Sequence, residues 1–435
     1  MKAKLFIAPA IAVVLAAGAV FIPTPEAAEP EPPQPAPAAA TSLACPVVGA
    51  DATEYVSGFG SGEITLSAID GQDSSVGTEV SKKSPSAPMR VRGEKGADFG
   101  AATWLYQQAG TDRGLSAAYC LSPESEQWFV GVRAYTEAQA QVELINLDQH
   151  EAAADLTFYT DQGMQLTQGS RGIRIAPLST QTVPLSSLIS SDKPLAIRVQ
   201  SSAGRLAAFV RQRTWSGTQV DGADWIAPAA APALTVTIPG VTGAKGELTV
   251  VNPSERSASV SLDMLTSEGV VPLSSDLAVP AGKTETMALP DALDGAAFGL
   301  RLSSDQPITA GLKLDSDTDS AKSDSAYTAA LAPEDLLGGV RVPFKADAKL
   351  SLVNPTNTDV LVQYGVQSVS VPALSSVEVA LSEKTAALSS DGPVIAALVA
   401  TRKLGDVAGL AVMPIETAAS LNTDLEVRYN PRVGS

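Results

Sequence analysis

The sequence has few of the residues from which catalytic and metal sites are usually built. Its 435 residues include only two cysteines and one histidine, His150. Two cysteines are too few for a zinc ribbon, and a serine or cysteine nucleophile would have to use His150 as its proton shuttle. His150 stands in the polar stretch NLDQHEAAAD, so we interpret it as a solvated loop residue. The sequence therefore predicts no cofactor and no histidine-dependent enzyme.

Positive charge, aromatic residues and long amphipathic helices are also scarce. Lysine and arginine number 30 against 47 acidic residues, which gives a formal net charge of −17. Such a surface repels phosphate groups, so we expect no nucleic-acid partner and no broad attraction to anionic lipid. With 5% aromatic residues, 34 Gly and 30 Pro, the composition is typical of short strands joined by many turns.

A hydrophobic run stands near the N terminus. Lys2 and Lys4 precede the uncharged residues 5–22, which as a helix would span roughly 27 Å, close to a bilayer core of about 30 Å. Lysines on that side place it in the cytoplasm and the following chain outside. Residues 1–22 are therefore a signal peptide or an uncleaved signal-anchor.

The next stretch separates this run from the rest of the chain. Residues 23–40 are rich in Pro, Ala and Glu, a composition typical of an extended linker. Outside the cytoplasm the two cysteines can oxidise together, so we predict a disulfide between Cys45 and Cys120. It would staple an N-terminal β domain at residues 41–137.

The remainder of the chain repeats itself. ELTVVNPSERSASVSL at 247–262 aligns without gaps with KLSLVNPTNTDVLVQY at 349–364, and QVELINLDQHEAAADLTFYT at 141–160 is a third copy with Asn-Leu in place of Asn-Pro. Apolar residues alternate with polar ones on both sides of the loop, the period of a half-buried strand. Later landmarks recur in the same order. The sequence therefore predicts three homologous modules, at 138–230, 231–340 and 341–435.

Each module shows six or seven short strands separated by turn residues, the pattern of a small antiparallel sandwich. The predicted fold class is all-β, with tandem antiparallel β-sandwich (Ig-like) modules after the hydrophobic segment and linker. Modules of this size bury their own cores, so we expect independent domains in a row. The asparagines Asn146, Asn252 and Asn354 are expected to cap the first turn of each module through their side chains.

One stretch combines arginine with tryptophan. In AFVRQRTW, Arg211, Arg213 and Trp215 lie on one face if the segment is a strand, and Trp225 follows between modules. Arginine and tryptophan are enriched in contact surfaces, and aromatic rings stack on sugars. We take these four residues as a candidate partner or glycan patch, with domain packing as the alternative interpretation.

A second stretch, DSDTDSAKSDSA, begins with the alternating Asp315, Asp317 and Asp319. That spacing opens calcium loops, but Ser320 stands where such loops have Gly and Ala326 where they have Glu. We interpret it as a flexible acidic connection and keep the three aspartates as a calcium candidate.

Four short motifs stand out along the chain: Cys45-Pro46, Cys120 followed by WFVG at 128–131, LINLD at 144–148, and the Asn-Pro turns. Together they resemble a family of actinobacterial exported or membrane-anchored envelope proteins of unknown function. Asn146-Leu147 departs from the Asn-Pro pattern. The resemblance implies an envelope location and a β-sandwich ectodomain, and it implies no catalytic residues.

These observations favour a non-enzymatic, membrane-tethered cell-envelope protein with an extracytoplasmic ectodomain that acts as a scaffold or interaction platform. Its expected partners are an envelope protein or a cell-wall polysaccharide, and membrane contact would run through residues 5–22 if they are not cleaved. The first alternative is a cell-wall polysaccharide-binding protein. The second is an extracellular hydrolase using paired carboxylates, for which the sequence nominates no pair.

Overall fold

The chain forms two compact units, residues 1–38 with 423–435 and residues 39–422. In the first unit the structure, a computed structural model, describes one antiparallel pair, Pro35–Ala36 (β1) with Leu425–Glu426 (β32). The predicted signal or anchor segment and most of the linker lie outside the described residues. The structure describes residues 35–36, 42–49, 53–93, 98–217, 219–289, 298–319, 322–381, 384–416 and 425–426. Within them no helix is long and apolar enough to cross a bilayer.

The N-terminal part of the large unit, here the first domain, is a curled antiparallel sheet in the order β2-β5-β3-β6-β7, with β4 paired to β3. Its strands are Ser42–Cys45 (β2), Thr53–Ala68 (β3), Ser75–Lys83 (β4), Met89–Gly93 (β5), Phe99–Gln107 (β6) and Gly114–Tyr119 (β7). Ala44 and Leu121 exchange two backbone hydrogen bonds of 2.8 and 2.9 Å, which joins the two ends of the sheet into a barrel-like shape. The disulfide between Cys45 and Cys120 lies beside this bridge, so the predicted pairing is confirmed.

Module 1 follows as a sandwich of two sheets, β11-β10-β14-β8-β17 with β12 paired to β10, and β13-β9-β15-β16. Alternate side chains of both sheets, among them Phe129, Leu144 and Phe158, fill the space between them. Its strands are Glu126–Ala134 (β8), Ala138–Asn146 (β9), Ala152–Thr160 (β10), Gly163–Gln165 (β11), Ile173–Ile175 (β12), Ser179–Pro184 (β13), Ser191–Ala203 (β14), Ala207–Ser216 (β15), Gln219–Ile226 (β16) and Pro228–Ala229 (β17), with one 3-10 helix at Leu185–Ser187.

Module 2 repeats this plan, with sheets β21-β20-β23-β18 and β22-β19-β23-β24. The long strand β23 serves both sheets, because its first half pairs with β20 and its second half with β19. The strands are Ala233–Val241 (β18), Lys245–Asn252 (β19), Ala258–Thr266 (β20), Gly269–Val279 (β21), Lys283–Ala288 (β22), Phe298–Asp315 (β23) and Ser325–Ala329 (β24).

Module 3 has the same two sheets, β28-β27-β30-β25 and β29-β26-β30-β31, again joined by one long strand, β30. The strands are Glu334–Arg341 (β25), Asp347–Asn354 (β26), Val360–Tyr364 (β27), Gln367–Val371 (β28), Ser375–Ala380 (β29), Thr385–Leu404 (β30) and Val407–Pro414 (β31). The all-β, antiparallel fold class predicted from the sequence is therefore confirmed.

Two strands belong to a different sandwich from the one to which the sequence assigned them. The strand β8 pairs with β14 and so starts module 1 at Glu126, although the sequence analysis placed it before the boundary at 138. Likewise β25 pairs with β30 and starts module 3 at Glu334, before the boundary at 341. Each strand's partner lies far along the chain, and local alternation carries no information about such pairing.

The repeated asparagines make one hydrogen-bonding pattern three times. Each asparagine is fully buried at the end of its strand. Its Oδ1 accepts the backbone N–H of the residue two positions later. Its Nδ2 donates to the carbonyl four positions later and to the carbonyl of the last residue of a later strand, which is β12, β21 or β28. The acceptors are His150, Ile175 and Ala176 for Asn146, Arg256 and Val279 for Asn252, and Thr358 and Val371 for Asn354. The motif is structural, as the sequence analysis proposed.

Replacing Asn354 with alanine is expected to lower the free energy of unfolding by roughly 2 kcal/mol, because it leaves a buried carbonyl of Val371 and the N–H of Thr356 without their partner. Urea denaturation measures the change. Asn357 in the same loop is exposed, so Asn357→Ala serves as a matched control and should cost less than about 0.5 kcal/mol. Equal losses in both variants would refute this role.

The four domains do not form a row of independent units, and that expectation is wrong. Hydrophobic clusters run across their boundaries and join the first domain to modules 1 and 3, and module 2 to modules 1 and 3. Clusters that span two domains contain both Trp104 and Leu336, both Leu121 and Phe209, both Trp128 and Val251, and both Ile238 and Val399. Through these clusters the domains close into a ring in the order first domain, module 1, module 2 and module 3.

Candidate functional site

The centre of this ring is formed by one strand from each domain. The strands β7, β16, β24 and β31 pack so that each contacts two of the others in cyclic order. Buried charged side chains gather where they meet, among them Arg113, Arg211, Asp224 and Asp324. Because buried charges are costly without partners, the contacts of these groups decide how the junction holds together.

Asp324 connects three domains through one carboxylate. It stands immediately before β24 of module 2, and its Oδ2 accepts the N–H of Leu115 in the first domain at 2.7 Å and that of Leu410 in module 3 at 3.0 Å. Its Oδ1 accepts the N–H of Ser325 at 3.0 Å. Burial is the larger effect on this group and raises the pKa of Asp324 to about 7, against the lowering effect of these bonds.

Gly114 is required by this arrangement. Its φ of +122° is unfavourable for other residues, and a Cβ at this position would lie 2.2 Å from Asp324 Oδ1. Beside it, Arg113 donates to the carbonyls of Val220 in module 1, at 2.6 Å, and Ser323 in module 2, at 3.1 Å. The turn before β7 therefore joins the first domain directly to modules 1 and 2.

Of the predicted patch, Arg211 and Trp225 are buried and present no surface to a partner, and Arg213 is half-buried. The side chain of Arg211 is fully buried, bonds Asp112 of the first domain at 3.1 Å, and lies over the ring of Trp225 with 5.0 Å to its centre. Arg213 bonds the same carboxylate at 3.0 Å. Although burial alone would raise it, these two arginines hold the pKa of Asp112 below its ordinary value. This corrects the patch: these residues bind module 1 to the first domain, as the packing alternative held.

Trp215 lies elsewhere. A register shift between Thr214 and Trp215 interrupts the pairing of β15 with β16, and Trp215 lines a cleft of about 530 Å³ between modules 1 and 2. Trp215 and Tyr135 are half-buried in its wall. The charged residues of the cleft are Arg133, Glu137, Asp221, Lys245, Glu247, Lys313, Asp315 and Asp317.

Ion pairs fix the polar side chains of this cleft. Arg133 reaches from module 1 to Glu247 of module 2 at 2.5 Å. Burial alone would lower the pKa of Arg133, but the charge and hydrogen bond of Glu247, with smaller contributions from Tyr135 and Tyr327, raise it above its ordinary value. Lys313 bonds Asp315 at 2.5 Å, and Asp315 also accepts the hydroxyl of Ser325 at 2.8 Å. These side chains are 19 to 35% exposed, so solvent reaches them from the cleft.

The calcium candidate is not assembled in the part of the chain that the structure describes, where no group of three or more Asp, Glu, His or Cys side chains is arranged to hold a metal ion. Asp315 is engaged by Lys313, and Asp317 Oδ1 accepts the N–H of Asp319 at 3.0 Å. Residues 320 and 321 of the same stretch lie outside the described residues. Two of the three aspartates instead line the cleft.

The structure also brings together carboxyl groups that the sequence did not associate. Glu54 of the first domain and Glu143 of module 1 are buried at their interface, and burial followed by the charge of Glu54 raises the pKa of Glu143 to about 8. A separate cavity of about 410 Å³ is lined by Glu124, Glu334 and Glu416, where burial and the other two acids raise the pKa of Glu416 to about 8. His150, by contrast, is exposed.

The fold and its junction define a multidomain, antiparallel β protein stapled by one disulfide. The family of unknown function DUF5719 matches residues 76–366, and the chain belongs to this family. No curated protein sequence matches it. Among solved structures, a "Biofilm associated protein - BSP domain" is similar at 7% identity with a TM-score of 0.15, covering 92% of this chain and 100% of that one, a likeness too distant to support an argument.

Proposed function

We propose that this protein is a non-enzymatic scaffold of the cell envelope, held outside the cytoplasm and tethered to the membrane through residues 5–22 where these are not cleaved. The observation that carries the proposal is the interlocking of four β domains around Asp324. Domains of one chain usually move relative to one another unless their interface is large and hydrophobic. Here shared cores and buried hydrogen bonds fix the four domains, which suits a platform that presents its surfaces at constant positions.

The disulfide supports the location. Cys45 and Cys120 are both buried and bonded, and such structural disulfides form in oxidising compartments. The assignment to actinobacterial exported envelope proteins belongs to the same proposal, and it rests on the sequence motifs around these cysteines.

The location is tested in cells that produce the full-length chain. Alkylation of the denatured chain with a thiol-specific reagent, before and after reduction, should label Cys45 and Cys120 only after reduction, in the membrane or secreted fraction. Labelling of both cysteines without reduction, in the cytoplasmic fraction, would overturn the proposal.

The platform function is tested by crosslinking from exposed positions. Photoreactive residues at Val76, Leu234 and Val366, which are 56, 55 and 97% exposed on three different domains, should give discrete products with an envelope protein or polysaccharide. The same positions in an Asp324→Ala variant control for the fixed arrangement and should lose products that span two domains. Absence of any discrete product from all three positions, together with hydrolysis of an ester, peptide or glycoside substrate, would contradict a scaffold.

A further inference from the structure

Two aromatic residues of the cleft between modules 1 and 2, Tyr135 and Trp215, are held at the same hairpin turn. Tyr135 and Ala138 exchange backbone hydrogen bonds of 2.9 and 3.1 Å, and the N–H of Trp215 donates to the carbonyl of Glu137 in the same turn at 2.8 Å. Neither ring is buried in a core. Half-exposed rings on a braced turn offer flat apolar faces that need no rearrangement before a ligand stacks on them.

The same cleft presents hydrogen-bond donors and acceptors side by side. The pairs Arg133 with Glu247 and Lys313 with Asp315 each place a cationic donor beside a carboxylate acceptor, with 2.5 Å between the bonded atoms. A hydroxyl group both donates and accepts, so it matches such a pair better than a carbonyl, an ammonium or a phosphate does. Vicinal hydroxyls with an apolar ring face are the chemistry of a carbohydrate.

The net charge of the cleft further limits the class of ligand that can bind. Five acidic and three basic side chains line it, so it carries net negative charge and disfavours phosphorylated or uronic-acid ligands. Its volume of about 530 Å³ falls within the roughly 300 to 1,000 Å³ of small-molecule sites. We propose that this cleft binds a short uncharged oligosaccharide, with Trp215 and Tyr135 against the sugar face and the two ion pairs against its hydroxyls. This inference goes beyond the scaffold function and does not depend on it.

The tryptophans of the chain provide a direct reporter. Of four tryptophans, Trp104, Trp128 and Trp225 are at most 3% exposed, so acrylamide quenches mainly the half-exposed Trp215. Maltotriose, cellotriose, chitotriose and mannotriose are titrated into the purified full-length chain. At least one of them should protect the fluorescence from acrylamide saturably, with heat of binding in isothermal titration.

Variants separate binding from folding. Because both variants lack the fluorescent reporter, affinity is measured by isothermal titration. Trp215→Ala should lower the affinity for the trisaccharide that binds by at least tenfold, whereas Trp215→Phe, which keeps a ring, should lower it less. Tyr364→Ala is the matched control, since Tyr364 is a half-buried aromatic of module 3 outside the cleft, and it should bind as the parent does. If Trp215→Ala fails to fold, two results test the proposal instead: protection from acrylamide in the unmodified chain, and the lower sugar affinity of Trp215→Phe. No protection by any of the four sugars at 10 mM, or binding of tetralysine without binding of a sugar, would overturn the proposal.

Discussion

Replacing Asp324 with alanine is expected to lower the free energy of unfolding of the four-domain unit by about 3 to 9 kcal/mol. The substitution leaves the backbone N–H groups of Leu115, Ser325 and Leu410 without an acceptor at the buried junction. Each orphaned buried donor costs about 1 to 3 kcal/mol. Because two of the three donors belong to other domains, the first domain and module 3 should also unfold at lower urea than in the parent chain.

Two variants test this explanation. Asp324→Asn can place its single oxygen at the Oδ2 position and keep both interdomain bonds, so we expect it to lose distinctly less than alanine. Asp276 is an exposed aspartate of β21, and Asp276→Ala should change the free energy of unfolding by less than about 0.5 kcal/mol. A loss below about 1 kcal/mol for Asp324→Ala, measured by urea denaturation with circular dichroism, would show that the junction does not depend on this carboxylate.

Replacing Glu143 with glutamine is expected to stabilise the protein at alkaline pH by up to roughly 4 kcal/mol and to change little near pH 5. Burial, followed by the nearby Glu54, raises the pKa of Glu143 from its ordinary value of 4.5 to about 8 in the folded state. Glu54 itself accepts the N–H groups of Val48 and Gly49, which offset part of the effect of burial on its pKa. Glu143 therefore stays protonated over a pH range in which an ordinary carboxyl group is ionised.

The direction of this pH dependence follows from the pKa values of Glu143 in the folded and unfolded states. A carboxyl whose folded pKa lies above its unfolded value contributes stability that is present below about pH 4.5 and lost as the pH rises through about 8. The parent chain should thus melt at a lower temperature at pH 9 than at pH 5, and Glu143→Gln should melt at a more constant temperature. Glu63→Gln removes the same charge from an exposed position and controls for the net charge of −17. Parallel pH profiles for the parent and Glu143→Gln would contradict this account.

The repeated modules could be predicted from the sequence because a half-buried strand shows a local pattern of alternating apolar and polar residues. Alternation around Asn252 and Asn354 fixed which side chains face a core, and the recurrence of the turn fixed where a hairpin begins. The disulfide was accessible for a simpler reason, since only one pairing of two cysteines exists. The role of Asn146 also followed, although its neighbour is leucine, because the asparagine side chain and not the proline makes the buried bonds.

The contacts between domains have no comparable local pattern in the sequence. The sequence leaves Arg211 open between a contact patch and domain packing, because its partner Asp112 lies in a different domain, in a stretch without any motif. Glu54 and Glu143 are likewise separated along the chain, and nothing local marks a carboxyl group that will be buried. Trp215 was selected for its chemistry, but a register shift in β15, which composition does not encode, directs it to another cleft.

By itself the sequence determined an acidic chain of repeated β-sandwich modules with a disulfide-stapled first domain, because hydrophobic period, turn residues and cysteine count are properties of short segments. Only the tertiary structure decided that the four domains close around Asp324, that the arginine patch is an interface, and that Trp215 meets Tyr135 and two ion pairs in one cleft. These features depend on pairs of residues distant in sequence whose partners are chosen by packing and by the cost of leaving a buried charge alone.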